Sequence, residues 1–99
     1  MDVWSPTVPG GDGHAGRTET SIMLALHPGR VRADRIEPGN TEPLSTLFAK
    51  LRRDGVRAHS PNGILGDPTT ASAEHGQQVV ELLVQDLQRF VSDSPEDAP

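Results

Sequence analysis

The chain has 99 residues and no cysteine, which limits it to one small domain and excludes a disulfide framework, a thiolate metal site or a Cys nucleophile. Leu, Ile, Val and Phe make 22 of the residues and Gly and Pro another 19; this apolar share lies just above the ~20% below which compositions read as disordered and excludes a large barrel or a multidomain enzyme. The net charge of −5 is uneven, with eight basic and seven acidic groups in residues 1–58 against one and seven in residues 59–99, so the second half offers no nucleic-acid surface.

The opening residues Met1-Asp2-Val3-Trp4 lack the basic and apolar regions of a signal peptide. The longest apolar run, Ile22 to Leu26, falls far short of the ~18 residues of a membrane span. A soluble, cytoplasmic protein with no membrane and no nucleic-acid partner is expected. Val3-Trp4 and Thr7-Val8 have strand character, but Pro6 and Pro9 break it. Pro9-Gly10-Gly11-Asp12-Gly13 is a loop by its turn chemistry.

A first helix is expected from Arg17 or Thr18 to Leu26 or His27, stopped by Pro28-Gly29. Its apolar residues are continuous rather than periodic, the pattern of a buried helix. Val31 to Glu37 alternates weakly and reads as a short extended stretch. Thr41 is the expected N-cap of a second helix, with Pro43 in its first turn. Leu44, Leu47, Phe48 and Leu51 form its apolar face, and Asp54-Gly55 ends it. Lys50, Arg52, Arg53 and Arg57 read as cations complementing the C-terminal dipole. Val56 to His59 is a possible short strand. Gly63, Gly66 and Asp67-Pro68 shape a loop, a lid or a plain turn. Ser72 caps the longest helix, about Ala73 to Val91, and residues 92–99 read as a disordered acidic tail.

Few residues suggest chemistry. His14, Glu19 and the upstream Asp12 are ligand types suited to zinc, manganese or iron. The five-residue step from His14 to Glu19 does not place both on one helical face. They converge only if His14 lies on the loop and Glu19 in the first helical turn. The plain alternative is a loop histidine and a first-turn carboxylate facing the helix dipole. His27, His59 and His75 sit near helix ends or turns. Trp4 either packs on the core or lines a pocket.

The stretch His14-Ala15-Gly16-Arg17-Thr18-Glu19-Thr20-Ser21, followed by the apolar run and Pro28, closely resembles the signature of the creatininase (creatinine amidohydrolase) family. That signature reads His-Ala/Gly-Gly-x-x-Glu-Thr-Ser, then an apolar helix and a proline. Downstream, Gly55-Val56 through Gly76 is similar to the family's C-terminal Gly-x-Gly-x-Pro, Ala-Ser/Thr-x-x-x-Gly and final helix. Pro9-Gly10-Gly11-Asp12 and Gly66-Asp67-Pro68-Thr69-Thr70-Ala71 look most like the mycofactocin-system branch, whose members trim a modified precursor peptide. The resemblance spans about Pro9 to Val91.

The resemblance implies an α/β fold: the C-terminal portion (residues 1–91) of a three-layer creatininase-like domain with a mainly parallel sheet, holding three helices and short strands. It implies a metal-dependent hydrolase acting on a small amide or modified peptide. His14 matches the family histidine beside the substrate that moves a proton, Glu19 a residue that reaches a metal or orients a ligand, and Asp12 a substrate-binding position in the pocket. The intact family enzyme uses divalent metal (zinc, iron or manganese). Its Glu-x-His and Asn-Gly-His metal motifs have no counterpart here, since Asn62-Gly63 is followed by Ile64. The implied chain is a truncated product, a mis-called start or half of a split protein, inactive alone and holding no metal stably. It would pair with a complementing N-terminal half or form a homo-oligomer. The alternative is a small acidic helical interaction protein without catalytic activity, docking through its last helix.

Overall fold

Two short polar side chains set where the main helices begin. Asp12 accepts hydrogen bonds from the amides of Arg17 and Thr18, at 2.7 and 3.1 Å, and Ser72 Oγ accepts from the amide of His75 at 3.1 Å. Both satisfy amides that a helix N-terminus leaves without partners. The computed structural model describes residues 3–93. It holds α1 (Arg17–Leu26), α2 (Leu44–Asp54), the single turn α3 (Val56–His59) and α4 (Ala73–Asp93), with 3-10 turns at Pro28–Arg30, Ala33–Arg35 and Pro68–Thr70.

The α/β expectation, with its parallel sheet and short strands, is overturned. No strand forms among the described residues, and the one pairing is an isolated antiparallel bridge between His14 and Leu65. The reason is local. An extended segment needs a neighbour to take its N–H and C=O groups, whereas a helical turn satisfies them within itself. Val56–His59, expected as a strand, therefore coils into α3 behind Gly55 (φ 81°), and the amide of Ser60 closes it onto the carbonyl of Val56. Ala33–Arg35 likewise tightens into a 3-10 turn within the stretch expected to extend. Among the described residues the helix count is four rather than three.

The long helices fall close to expectation. Their ends differ in two places. Pro43, not Thr41, precedes α2, and Asn40 rather than Thr41 binds the backbone there, its Oδ1 accepting from the amide of Glu42 at 2.8 Å. α4 continues through Asp93, so Ser92 and Asp93 are helical; the rest of the expected tail, 94–99, lies outside the described residues.

α1 and α4 form the principal packing. Ser21 on α1 is fully buried, and its Oγ accepts from the amide of Ser72 at 3.1 Å, pinning the start of α4 to the middle of α1. Gly76 on α4 lies directly against the Ser21 carbonyl, with Ala25 Cβ alongside. Trp4 donates from Nε1 to Asp86 Oδ2 at 2.9 Å, laying the N-terminal segment along α4.

The apolar core is small. Leu47 and Val79, 1% and 4% exposed, are its only buried large apolar residues among those described. The expectation of an apolar helix buried all round also fails: Met23 and Leu26 of α1 face solvent. The radius of gyration is 16.0 Å, against about 13 Å for a compact domain of this length.

Candidate functional site

The site is built at the turn into α1. Gly13 and His14 lie against Leu65: both amides donate to its carbonyl, at 2.9 and 3.0 Å, and its own amide returns a bond to the His14 carbonyl at 2.8 Å. Ala15 follows with φ 53°, a left-handed conformation that few residues other than glycine adopt. That turn swings the chain into α1 and brings its first turn back over the loop. Glu19 Oε1 then accepts from the Ala15 amide at 3.2 Å and sits 3.2 Å from His14 Nδ1. The convergence required by the five-residue spacing is thereby met.

This geometry has a chemical consequence. The contact is at ion-pair distance and is not aligned as a hydrogen bond; a carboxylate that takes the Nδ1 proton leaves Nε2 as the nitrogen for proton transfer. The pair is open to solvent, with side-chain exposures of 65% for His14 and 48% for Glu19. Glu19 also lines a shallow groove of about 280 Å³ with Ala15, Thr20, Met23, Arg30 and Val31.

Asp12 stands apart from this pair. Both of its carboxylate oxygens are taken by α1 amides. It is enclosed so closely by Gly16 and Gly66 that a Cβ on either would collide with the carboxylate. Partial burial pushes its carboxyl up, but the amides of Thr18 and Arg17 outweigh that and hold it below the usual range. Asp12 lines a different cleft, of about 410 Å³, with Leu44, Leu47, Asp67 and His75. His14 and Glu19 do not line that cleft.

Asp12→Ala is expected to cost about 1–2 kcal/mol, the range for loss of a helix cap. Thermal or urea unfolding measures it. The pH dependence has a definite sign. The folded-state carboxyl lies below its unfolded value of ~3.9, so its contribution is present above that pH and is lost as pH falls through the lower folded value. Wild type should lose this increment under acid and Asp12→Ala should not.

The cleft contains residues to which the sequence assigned no site role. Glu42 binds Lys50 through Oε1 at 3.0 Å, while its Oε2 is buried without a hydrogen-bond partner among the described residues. Asp67 accepts from the Thr69 amide and hydroxyl at 2.9 and 2.6 Å, which hold its carboxyl low. Asp67 belongs to the Gly66–Ala71 stretch and Glu42 to the entry of α2, and only the fold brings the two together. A separate exposed cluster ends α2: Arg53 and then His59 donate to Asp54 and hold its carboxyl well below the carboxylate range.

Among the described residues no group of three or more His, Cys, Asp or Glu side chains could hold a metal ion. His14 and Glu19 supply two donors, whereas a catalytic zinc takes three protein ligands. The donor set of this chain does not fit a metal ion by itself.

The chain as a whole matches a known class of protein. The family model described as creatininase, creatinine amidohydrolase, matches residues 2–91, and the chain belongs to the creatininase family. A mycofactocin precursor peptide peptidase from Mycobacterium tuberculosis (strain CDC 1551 / Oshkosh) is 50% identical over 90 residues, covering 90% of this chain and 36% of the relative. A creatinine amidohydrolase from Pseudomonas putida is 40% identical over 76 residues, covering 75% and 28%. A crystal structure from Bacteroides fragilis NCTC 9343, described as "Putative creatinine amidohydrolase", superposes with a TM-score of 0.62 at 28% identity, covering 80% of this chain and 33% of that one. The chain thus spans about a third of the length of the mycobacterial relatives it matches. Among the described residues no helix is long and apolar enough to cross a membrane.

Proposed function

We propose that this chain supplies the His14–Glu19 portion of a hydrolase that cleaves an amide bond in the mycofactocin precursor peptide. The observation that carries the reading is the 3.2 Å contact between His14 and Glu19, in a stretch half identical to a peptidase named for that precursor. In this reading His14 is a catalytic residue. Glu19 holds the Nδ1 proton, His14 Nε2 accepts the proton released as a water oxygen bonds to the amide carbonyl carbon, and Nε2 then gives that proton to the leaving amine nitrogen as the C–N bond breaks. Glu19 is a positioning residue, and the left-handed Ala15 sets its distance from His14. Asp12 meets the peptide only along the edge of the 410 Å³ cleft, because α1 already occupies its oxygens. A divalent ion serving this family domain needs donors from outside this chain, so the 99 residues alone are inactive.

A chimera tests the reading. Residues 2–91 replace the matched stretch of the M. tuberculosis relative, and release of peptide from the mycofactocin precursor is followed by mass spectrometry. Turnover within about tenfold of the parent is expected. A folded chimera without turnover contradicts the proposal.

A further inference from the structure

The chain holds a single asparagine–glycine pair, Asn62-Gly63; its other asparagine, Asn40, is followed by the β-branched Thr41. An asparagine side-chain amide is open to attack by the backbone nitrogen of the next residue, and a glycine there puts no Cβ in the way. At Gly63 the surroundings do not hinder the approach either. Its φ is 79°, and nothing lies within 4 Å of the place a Cβ would take. Asn62 is exposed and lines an open groove of about 390 Å³ with Glu37, Pro38 and His59.

Asn62 also fastens two parts of the fold together. The Ile64 amide can only donate, so the side-chain atom 3.0 Å from it is Oδ1, and Nδ2 is the atom that faces Glu37 and Pro38. Nδ2 donates to Glu37 Oε1 and to the Pro38 carbonyl, at 3.0 Å each. These bonds close the outer end of a seam between residues 37–40 and 60–66. Further in, the Gly39 amide donates to the Gly66 carbonyl and the Asn40 amide to the Ile64 carbonyl, at 3.0 Å each. Leu65, between them, carries the bridge to His14. The Gly63 amide is engaged as well, donating to the Ser60 carbonyl at 2.9 Å. While the seam is closed it therefore holds both the attacking nitrogen and the amide that would be attacked.

We propose that Asn62 is a deamidation site, gated by this seam, and that its modification keeps the seam open once made. Water is the only co-reactant. When the turn opens, the Gly63 backbone nitrogen loses its proton to solvent and bonds to Asn62 Cγ. The Cγ–Nδ2 bond breaks, and the leaving nitrogen takes a proton from solvent and departs as ammonia. Water then adds to either carbonyl carbon of the resulting cyclic imide and breaks that carbon's bond to the ring nitrogen, which takes the water's proton. The products are aspartate and isoaspartate; the second routes the main chain through the side-chain methylene. In the aspartate form a carboxylate oxygen stands where Nδ2 donated. It faces the Glu37 carboxylate and the Pro38 carbonyl, which can only accept, so the edges of the seam repel where they had been bonded. The site is separate from the His14–Glu19 pair and does not depend on the hydrolase reading.

The test incubates the 99-residue chain in mildly alkaline buffer, folded or in guanidinium chloride, and follows positions 40 and 62 by peptide mapping with mass spectrometry. Asn62 should convert to aspartate and isoaspartate in both states. In the folded chain the conversion should be slower by about tenfold or more, because it waits on a local opening. Asn40 should stay intact in the folded chain. Separately, Asn62→Asp should lower the melting temperature by about 4–8 °C, the shift expected for loss of one such contact in a domain of this size. Glu37→Gln in the same chain should recover most of that shift, since its amide can donate to the new carboxylate. No conversion at Asn62 in the folded chain after the unfolded chain has fully converted would overturn the site. Equal rates in the two states would overturn the gating. A melting temperature for Asn62→Asp equal to the parent's, or a loss untouched by Glu37→Gln, would overturn the effect on the seam.

Discussion

His14→Ala in the chimera is expected to lower the rate of precursor cleavage by ~10²–10⁴-fold, the range for removing a general acid or base. The loss should fall on kcat more than on KM, because the proton is needed as the C–N bond breaks rather than when the peptide binds. Glu19→Gln separates orientation from scaffolding. A glutamine oxygen still accepts from the Ala15 amide, so the turn is kept, but the amide no longer anchors the Nδ1 proton as a carboxylate does. If Glu19 positions His14, the Gln variant should lose on the order of 10–100-fold, as for other partners that orient a working histidine. If it only holds the turn, the Gln variant should match the parent. Steady-state kinetics on the three proteins decides between these outcomes.

Gly76→Val is expected to have the largest effect on stability. A Cβ at Gly76 would run into the Ser21 backbone carbonyl and meet Ala25 Cβ. Backbone does not yield as the end of a flexible side chain does, so α1 and α4 must separate. Overpacking typically costs 1–3 kcal/mol; with a carbonyl as the obstacle, about 3 kcal/mol is expected. The better helix propensity of other residues over glycine offsets only about 1 kcal/mol of such a loss, and less for a β-branched residue. Separation also breaks the Ser72 amide bond to Ser21 Oγ, so the start of α4 loosens with it. Gly29→Ala is the control: nothing lies within 4 Å of a Cβ there, and its effect should stay within ~0.5 kcal/mol. Thermal unfolding followed by far-UV circular dichroism compares the two. Equal melting temperatures for Gly76→Val and the parent would show that α1 and α4 are not packed as described.

The helices were legible in the residues because their signals are local. Pro28-Gly29 ends α1, Asp54-Gly55 ends α2, and Ser72 begins α4 through a bond made within its own first turn. The convergence of His14 and Glu19 was conditional in the sequence: it required a loop histidine and a first-turn glutamate. The structure supplies that through the left-handed Ala15, which the family's Ala-or-Gly alternative at this position foreshadows.

What was not legible is non-local. Asp12 was given a pocket position by the resemblance, and it lines the 410 Å³ cleft, where its partners across the cleft come from distant parts of the chain; its oxygens also take amides five and six residues on. Glu42 and Asp67 reach one cleft only because α2 lies beside the Gly66 loop. The α/β expectation was carried by the family resemblance, and it failed for this chain because Val31–Glu37 and Val56–His59 find no strand beside them. Each then met its own hydrogen-bond needs by coiling. The modest apolar content is of a piece with this: Leu47 and Val79 are buried, and much of the remainder faces outward from α2 and α4.

The central claim is that this chain carries an essential part of an amide-hydrolysing site but not the whole of it. The most direct measurement assays the isolated 99 residues and the chimera side by side on the mycofactocin precursor peptide, each with zinc, iron(II) or manganese added. The account predicts turnover by the chimera, its loss on His14→Ala, and no turnover above background by the isolated chain with any of the three ions. Turnover by the isolated chain, or a chimera indifferent to His14→Ala, would contradict it.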